Sequence, residues 1–409
     1  MNRLYFIFIP LIFFLLISCS LGGDKSVATT ESFIIPEHIK GLENLSVFSF
    51  KDQQQVDTVE LIRETVFESN SEVYIEGYTG EVAVDDINRV YIVGSLPGTV
   101  AIYVFNPDGS YITKFMNEGR GPGEVEAIGS MQIYNNKLYA LGPRLQKFVV
   151  YSLDDYSLLY DAVLKRDSLN KNYMKLLRAS KIFVADTNKI FLSFKNNSPK
   201  DSLKRIYYLP VSVEGQILPD TLFTQKRYNY YEHNLGAEGG PPFIVSWAMP
   251  FNKSSQVALL GNNIVDVWTE DFFLKIRDRD GKYNKGIYYP HAAISLEVSK
   301  LNISEQRMKI IEGKEVPEKW PVIHRTLADN NQIWIATITE SDSTFNWWVL
   351  DEEGKLKASF TFKGEKENRS PGFGSDLPII RNGYFYERER SIEDGYDRIV
   401  KYKIVFRPE

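Results

Sequence analysis

Val82-Ala83-Val84-Asp85-Asp86-Ile87-Asn88-Arg89-Val90-Tyr91-Ile92 and Met131-Gln132-Ile133-Tyr134-Asn135-Asn136-Lys137-Leu138-Tyr139-Ala140 follow one plan. A strand runs into an Asn/Asp turn, and a second strand opens on a cation or amide and carries an aromatic. Ile182 to Leu192, Thr326 to Ile335 and Pro378 to Tyr386 repeat it. Alternating apolar residues around such turns are hairpin signals. The anchor aromatics Tyr91, Tyr139 and Phe191 are 48 and 52 residues apart, and Trp334 precedes Phe385 by 51. Phe191 to Trp334 is 143 residues, room for two longer units, and Gly261-Asn262-Asn263 supplies the turn between them. Several anchors are followed by a second strand pair around an Asp/Glu-Gly turn, as at Asp108-Gly109, Asp280-Gly281 and Glu353-Gly354. Four short strands per unit of roughly 45–50 residues make the blade of a β-propeller. The chain therefore reads as all-β, a six-bladed β-propeller of four-stranded antiparallel blades. Its rivals are a two-sheet sandwich or two small β-domains, which do not repeat at this period.

The ring closes by pairing of N- and C-terminal strands, which hides both sheet edges and argues for one domain. The expected partners are Leu45 to Phe50 and Ile399 to Phe406.

The amino terminus carries a different signal. Arg3 precedes an apolar run, Leu4 to Ile17, that ends in Leu16-Ile17-Ser18-Cys19. This is the order of a secretory signal, and the run falls short of the ~20 apolar residues of a membrane span. A cysteine at the cut, with leucine three residues ahead, resembles the lipobox of bacterial lipoproteins. The resemblance implies removal of residues 1–18 and lipidation of Cys19. A flexible tether over residues 19–36 and a propeller over residues 37–409 would follow. The expected location is the cell envelope, with the outer membrane as the anchoring membrane. Cys19 is the only cysteine, so disulfides, a thiol nucleophile and a thiolate metal site are all excluded. A net charge of −5 with scattered basic residues excludes nucleic acid as a partner.

Gly119-Arg120-Gly121-Pro122-Gly123-Glu124 lies between the first two units. With the hairpin that follows, it resembles an NHL-type repeat and, more closely, the six-bladed TolB-like propeller lipoproteins of Gram-negative bacteria. The likeness at motif level covers residues 82–151. It departs at Gly142, where many such repeats have aspartate, and the glycine loop is intact only once. The resemblance implies a monomeric binding or scaffolding propeller and does not imply an enzyme.

Candidate contacts follow from residue chemistry. Three glycines let backbone amides approach a ligand, with Arg120 beside them; the alternative is a tight crossing braced by Arg120 and Glu124. Residues opening the inner strands should line the central channel, approximately Glu124 and Glu126, Arg178 and Lys181, Ser246 and Trp247, His324 and Arg325, and Asp376. Too few oxygens converge there for a hard cation, so neither metal nor cofactor is expected. Tyr231, leading toward Trp247, suits stacking on a sugar or peptide. Arg120, Gly121, Gly123, Glu124, Glu126, Tyr231, Trp247, His324, Arg325 and Asp376 form the candidate binding face. The expected role is non-catalytic recognition of a glycan, a peptide or an envelope protein. Its rival is a glycan lyase or lactonase-like hydrolase acting at the channel mouth. Asp167-Ser168-Leu169 is one of five Asp-Ser/Thr triplets that look like an O-glycosylation acceptor or, equally, plain turns.

Overall fold

The computed structural model describes residues 35–49, 56–75, 78–96, 99–169, 177–196, 204–227, 230–234, 236, 243–368, 377–390 and 397–408. Met1–Lys40 and Gly41–Glu409 are separate units. The first contributes one short helix, α1 (Glu37–Lys40), among its described residues.

In the second unit, strands β1 (Leu45–Val47) and β2 (Asp57–Phe67) come first. Blade 1 holds β3 (Tyr78–Val84), β4 (Val90–Leu96), β5 (Thr99–Phe105) and β6 (Tyr111–Phe115). Blade 2 holds β7 (Ser130–Tyr134), β8 (Lys137–Gly142), β9 (Lys147–Ser152) and β10 (Leu158–Val163). Blade 3 holds β11 (Leu177–Asp186), β12 (Lys189–Asn196), β13 (Arg205–Val211) and β14 (Phe223–Lys226). A separate hairpin, β15 (Tyr231–Asn234) and β16 (Ile244–Trp247), precedes blade 4. That blade holds β17 (Ser255–Leu260), β18 (Asn263–Trp268), β19 (Phe273–Asp278) and β20 (Tyr283–Tyr288). Helix α2 (Glu305–Ile311) then leads to blade 5, made of β21 (Ile323–Asp329), β22 (Gln332–Ile338), β23 (Thr344–Leu350) and β24 (Leu356–Lys363). Blade 6 is β25 (Ile379–Arg381), β26 (Tyr384–Arg390), β27 (Asp397–Arg407) and, from the start of the chain, β2. The fold is a six-bladed β-propeller.

Two kinds of turn build it. The inner hairpins of blades 2, 5 and 6 bend through Asn135-Asn136, Asn330-Asn331 and Asn382-Gly383, all with positive φ. Two successive positive φ values match the right-handed twist of a tight hairpin, and asparagine tolerates them well. The outer hairpins of blades 1, 3, 4 and 5 each use one glycine with positive φ, and that of blade 2 uses Tyr156. At Gly281, φ is +80° and an added Cβ would stand 2.4 Å from Leu222 O.

The anchor aromatics pack between blades. Tyr91, Tyr139, Phe191, Trp334 and Phe385 are each at most 1% exposed. Six apolar clusters alternate with the six blades around the ring. Full burial of one such side chain stabilises by about 1.5–3 kcal/mol.

Closure uses a different N-terminal strand from the one expected. β27 pairs antiparallel with β2, from Thr58 opposite Arg407 to Phe67 opposite Ile399. β1 instead lies parallel to β20 at the outer edge of blade 4. The reason is length: β2 and β27 are both eleven residues long, whereas β1 has three. Phe67 is fully buried, with ring centroids 6.1 Å from Phe105 and 6.5 Å from Tyr386, so the last strand pair also fills the junction with blade 1.

This geometry predicts unequal costs along β2. Phe67→Ala should destabilise the domain by about 3–5 kcal/mol, as for other buried Phe→Ala changes. Ile62→Ala, at a position 40% exposed, should cost well under half as much. Chemical denaturation of both variants checks this, and equal midpoints would contradict a closing role for Phe67.

Candidate ligand-binding channel

The inner strands β3, β7, β11, β17, β21 and β25 surround an axial channel of about 1000 Å³. Its entry end, where these strands begin, carries Ser130, Lys181, Ser255, His324 and Arg325; its far end reaches Asn262 and Arg381 at the inner turns. Polar side chains in the wall tie neighbouring blades together. Gln132 donates through Nε2 to Val184 O at 3.1 Å and accepts from Val184 N at 2.9 Å. Gln256 Nε2 donates to His324 O at 2.8 Å, and Arg388 Nη2 to Gly80 O at 3.0 Å. These bonds hold the wall at fixed spacing while leaving part of its polar surface facing the channel.

The wall is cationic. Lys181, Arg279, Arg325, Arg381 and Arg388 line it, and no aspartate or glutamate does so among the described residues. Carboxylates that do not themselves line the channel meet three of these cations. Asp186 lies 3.2 Å from Arg279, Asp329 lies 3.7 Å from Arg381, and Asp397 lies 3.9 Å from Arg388. His324 stacks on Phe345 with centroids 4.0 Å apart. Burial pushes the Glu387 carboxyl up to about 7, although the Arg388 amide and the Arg325 charge pull the other way. Burial, then Arg227, then Lys181 push the Lys195 ammonium down. Among the described residues no group of three His, Cys, Asp or Glu could hold a metal ion. A wall of cationic nitrogen favours anions, whereas a hard cation requires converging oxygens.

The sequence-predicted residues fall in three places. Lys181, His324 and Arg325 line the channel. The glycine loop lies instead over blade 2, against β9 and β10. Gly121 N donates to Glu124 Oε2 at 2.9 Å and Gly123 N to Asp161 Oδ2 at 2.7 Å. Tyr151 Oη donates to Gly123 O at 2.8 Å, and Lys147 Nζ to Gly121 O at 2.7 Å. Glu124 thus folds back over Gly119, where an added Cβ would stand 2.0 Å from Oε2. The amides offered to a ligand are taken by the protein's own carboxylates. Arg120, its side chain 80% exposed, pairs with Glu126 at 2.7 Å rather than with Glu124.

Tyr231 and Trp247 face each other across the β15–β16 hairpin and pack on the blade 5–6 cluster. Tyr231 Oη donates to Glu315 O at 3.2 Å. The inner strand of blade 4 begins at Ser255, so Ser246 and Trp247 do not open it. Ser168, of the Asp-Ser-Leu triplet, donates to Ile217 O and accepts from Gln216 Nε2. Cys19 and Asp376 lie outside the described residues. Sequence reasoning missed Arg388, Arg279, Arg381 and Gln256. Arg388 sits in Glu387-Arg388-Glu389-Arg390, which reads as a solvated charge run; only its register against the entry of β25 puts it at the channel.

Residues 40–234 match a family model described as "6-bladed beta-propeller", a stretch that takes in blades 1–3 and ends with β15. No curated protein matches the chain. Among solved structures, a DUF4221-family member from Bacteroides vulgatus aligns over 87% of this chain and 100% of its own, at 11% identity and TM-score 0.52. A Bacteroides fragilis protein aligns over 88% and 99%, at 11% identity and TM-score 0.49. A streptogramin B lyase aligns over 86% and 98%, at 11% identity and TM-score 0.42. At 11% identity the likeness to the DUF4221-family member speaks to the fold alone.

The raised Glu387 sets a pH dependence. A carboxyl whose folded pKa is about 7, above its ordinary 4.5, binds its proton more tightly in the folded state. Stability is therefore lost as pH rises through that window. Glu387→Gln should gain more melting temperature over the parent protein at pH 8 than at pH 5. Burial would raise Glu389 as well, but bonds from Lys363 and Tyr402 hold it at about 2, so it stays ionised at both pH values. An equal shift at pH 5 and pH 8 would show that Glu387 does not carry the effect.

Proposed function

We propose that the protein is a non-catalytic binding propeller, tethered to the cell envelope through lipid on Cys19, that takes its ligand into the axial channel. The observation that carries this reading is the channel itself. At about 1000 Å³ it has the size of a small-molecule site, and convergent polar groups line its entry. Binding accounts for this lining better than lyase or hydrolase chemistry. General acid–base catalysis draws on titratable groups matched in pKa and placed on either side of one reacting atom. The described wall offers one histidine and several cations.

The anchoring half rests on Leu16-Ile17-Ser18-Cys19. Among the described residues no helix is long and apolar enough to cross a membrane. Acylation contributes ~0.8 kcal/mol per buried CH₂, so Cys19→Ala should move the protein from the membrane fraction to the soluble fraction. Unchanged fractionation would remove the lipid from the account.

The binding half is tested by plugging the channel. Ser255, half-buried at the start of β17, faces the cavity. A thermal-shift screen of neutral and charged small molecules should yield ligands that raise the melting temperature of the parent protein. At one hundred times Kd the stabilisation is about 2.7 kcal/mol. Ser255→Trp should abolish the shift. Ligands that stabilise both proteins equally would place the site elsewhere.

A further inference from the structure

The channel wall carries information about the chemistry of its occupant. Three cations from three blades meet at the entry end: Lys181 on β11, Arg325 on β21 and Arg388 on β26. Lys195 and Arg227 stand behind Lys181, close enough to act on one another electrostatically. Asp397 lies 3.9 Å from Arg388 without lining the channel. Like charges gathered around a cavity repel, and a low-dielectric wall strengthens the repulsion. An anionic occupant relieves it.

Two neutral groups refine the picture. Thr326 is 5% exposed and lines the cavity, and its Oγ1 has no hydrogen-bond partner among the described residues. Gln256 spends its Nε2 on His324 O, while its buried Oε1 likewise has no partner among the described residues. An acceptor such as Gln256 Oε1 asks for an O–H or N–H from the occupant, and a buried hydroxyl without a partner carries a cost of its own.

We propose that the entry end of the channel binds a small polyhydroxylated anion, its negative groups held by Lys181, Arg325 and Arg388 and one of its hydroxyls donated to Gln256 Oε1. The inference rests on the reading of the channel as a binding site and names the class of ligand. Carboxylated, phosphorylated and sulfated sugars share this chemistry.

Isothermal titration of the full chain with trigalacturonate, a hexose bisphosphate and a sulfated disaccharide separates the three sources, with maltotriose as the neutral comparison. At least one acidic probe should bind while maltotriose does not, and its affinity should fall as salt rises and screens the charges. Lys181→Met and Arg325→Met should each weaken that probe by about tenfold or more, while Arg120→Ala, at a position that does not line the channel, leaves it unchanged. Failure of all three acidic probes overturns the proposal, as does equal binding of maltotriose or full affinity in both methionine variants. Should the methionine variants fail to fold, the comparison of acidic with neutral probes on the parent protein decides alone. A neutral ligand lost on Ser255→Trp would sustain the binding channel and overturn its anionic character.

Discussion

Everything in the propeller depends on one strand pair. β2 leaves the start of the domain and joins β27 at its end through nine paired positions. Without it, blade 6 lacks its outer strand and the junction with blade 1 loses Phe67. The loop so closed spans nearly the whole domain. Its entropic cost grows only logarithmically with length, so a long antiparallel ladder and one buried aromatic suffice to offset it. The start of β2 also touches β24 in parallel, at Asp57 opposite Ala358 and Thr58 opposite Ser359, which extends the clasp to blade 5.

Closure also creates the channel. Inner strands around a ring cannot pack side chain on side chain across the axis as sheets of a sandwich do, so apolar burial moves outward to the six inter-blade clusters. The axis is left open, with polar and apolar side chains together in its wall. Gln132, Gln256 and Arg388 satisfy neighbouring backbone groups and stitch blade to blade. Several of the cations between them pair with carboxylates outside the lining. Stability thus resides between the blades.

The fold was legible because its signals are local. Asn-Asn and Asn-Gly turns, Asp-x-x-Gly turns and one aromatic per inner hairpin repeat closely enough to count six blades and place the anchors Tyr91, Tyr139, Phe191, Trp334 and Phe385. Closure was legible in principle but assigned to Leu45–Phe50, because an apolar-aromatic run looks more strand-like than Asp57–Phe67 with its interspersed charges. Those charges are the solvent-facing half of an outer strand. The hairpin around Tyr231 and Trp247 imitates an inner-strand entry, and only tertiary packing shows it covering blades 5 and 6. The channel wall was least legible. Lys181 and Arg325 could be read from the openings of their inner strands, but Arg279, Arg381 and Arg388 come from turns and a second strand, and each taken singly reads as a surface charge.

Native-state hydrogen exchange gives the most direct test of the closing clasp. Amides of β2 and β27 should exchange only with global unfolding, at the same free energy as the central strands β8, β12 and β22. If β2 exchanges through a low-energy opening while the other blades stay protected, the ring does not depend on its closing pair, and the account of this fold is wrong.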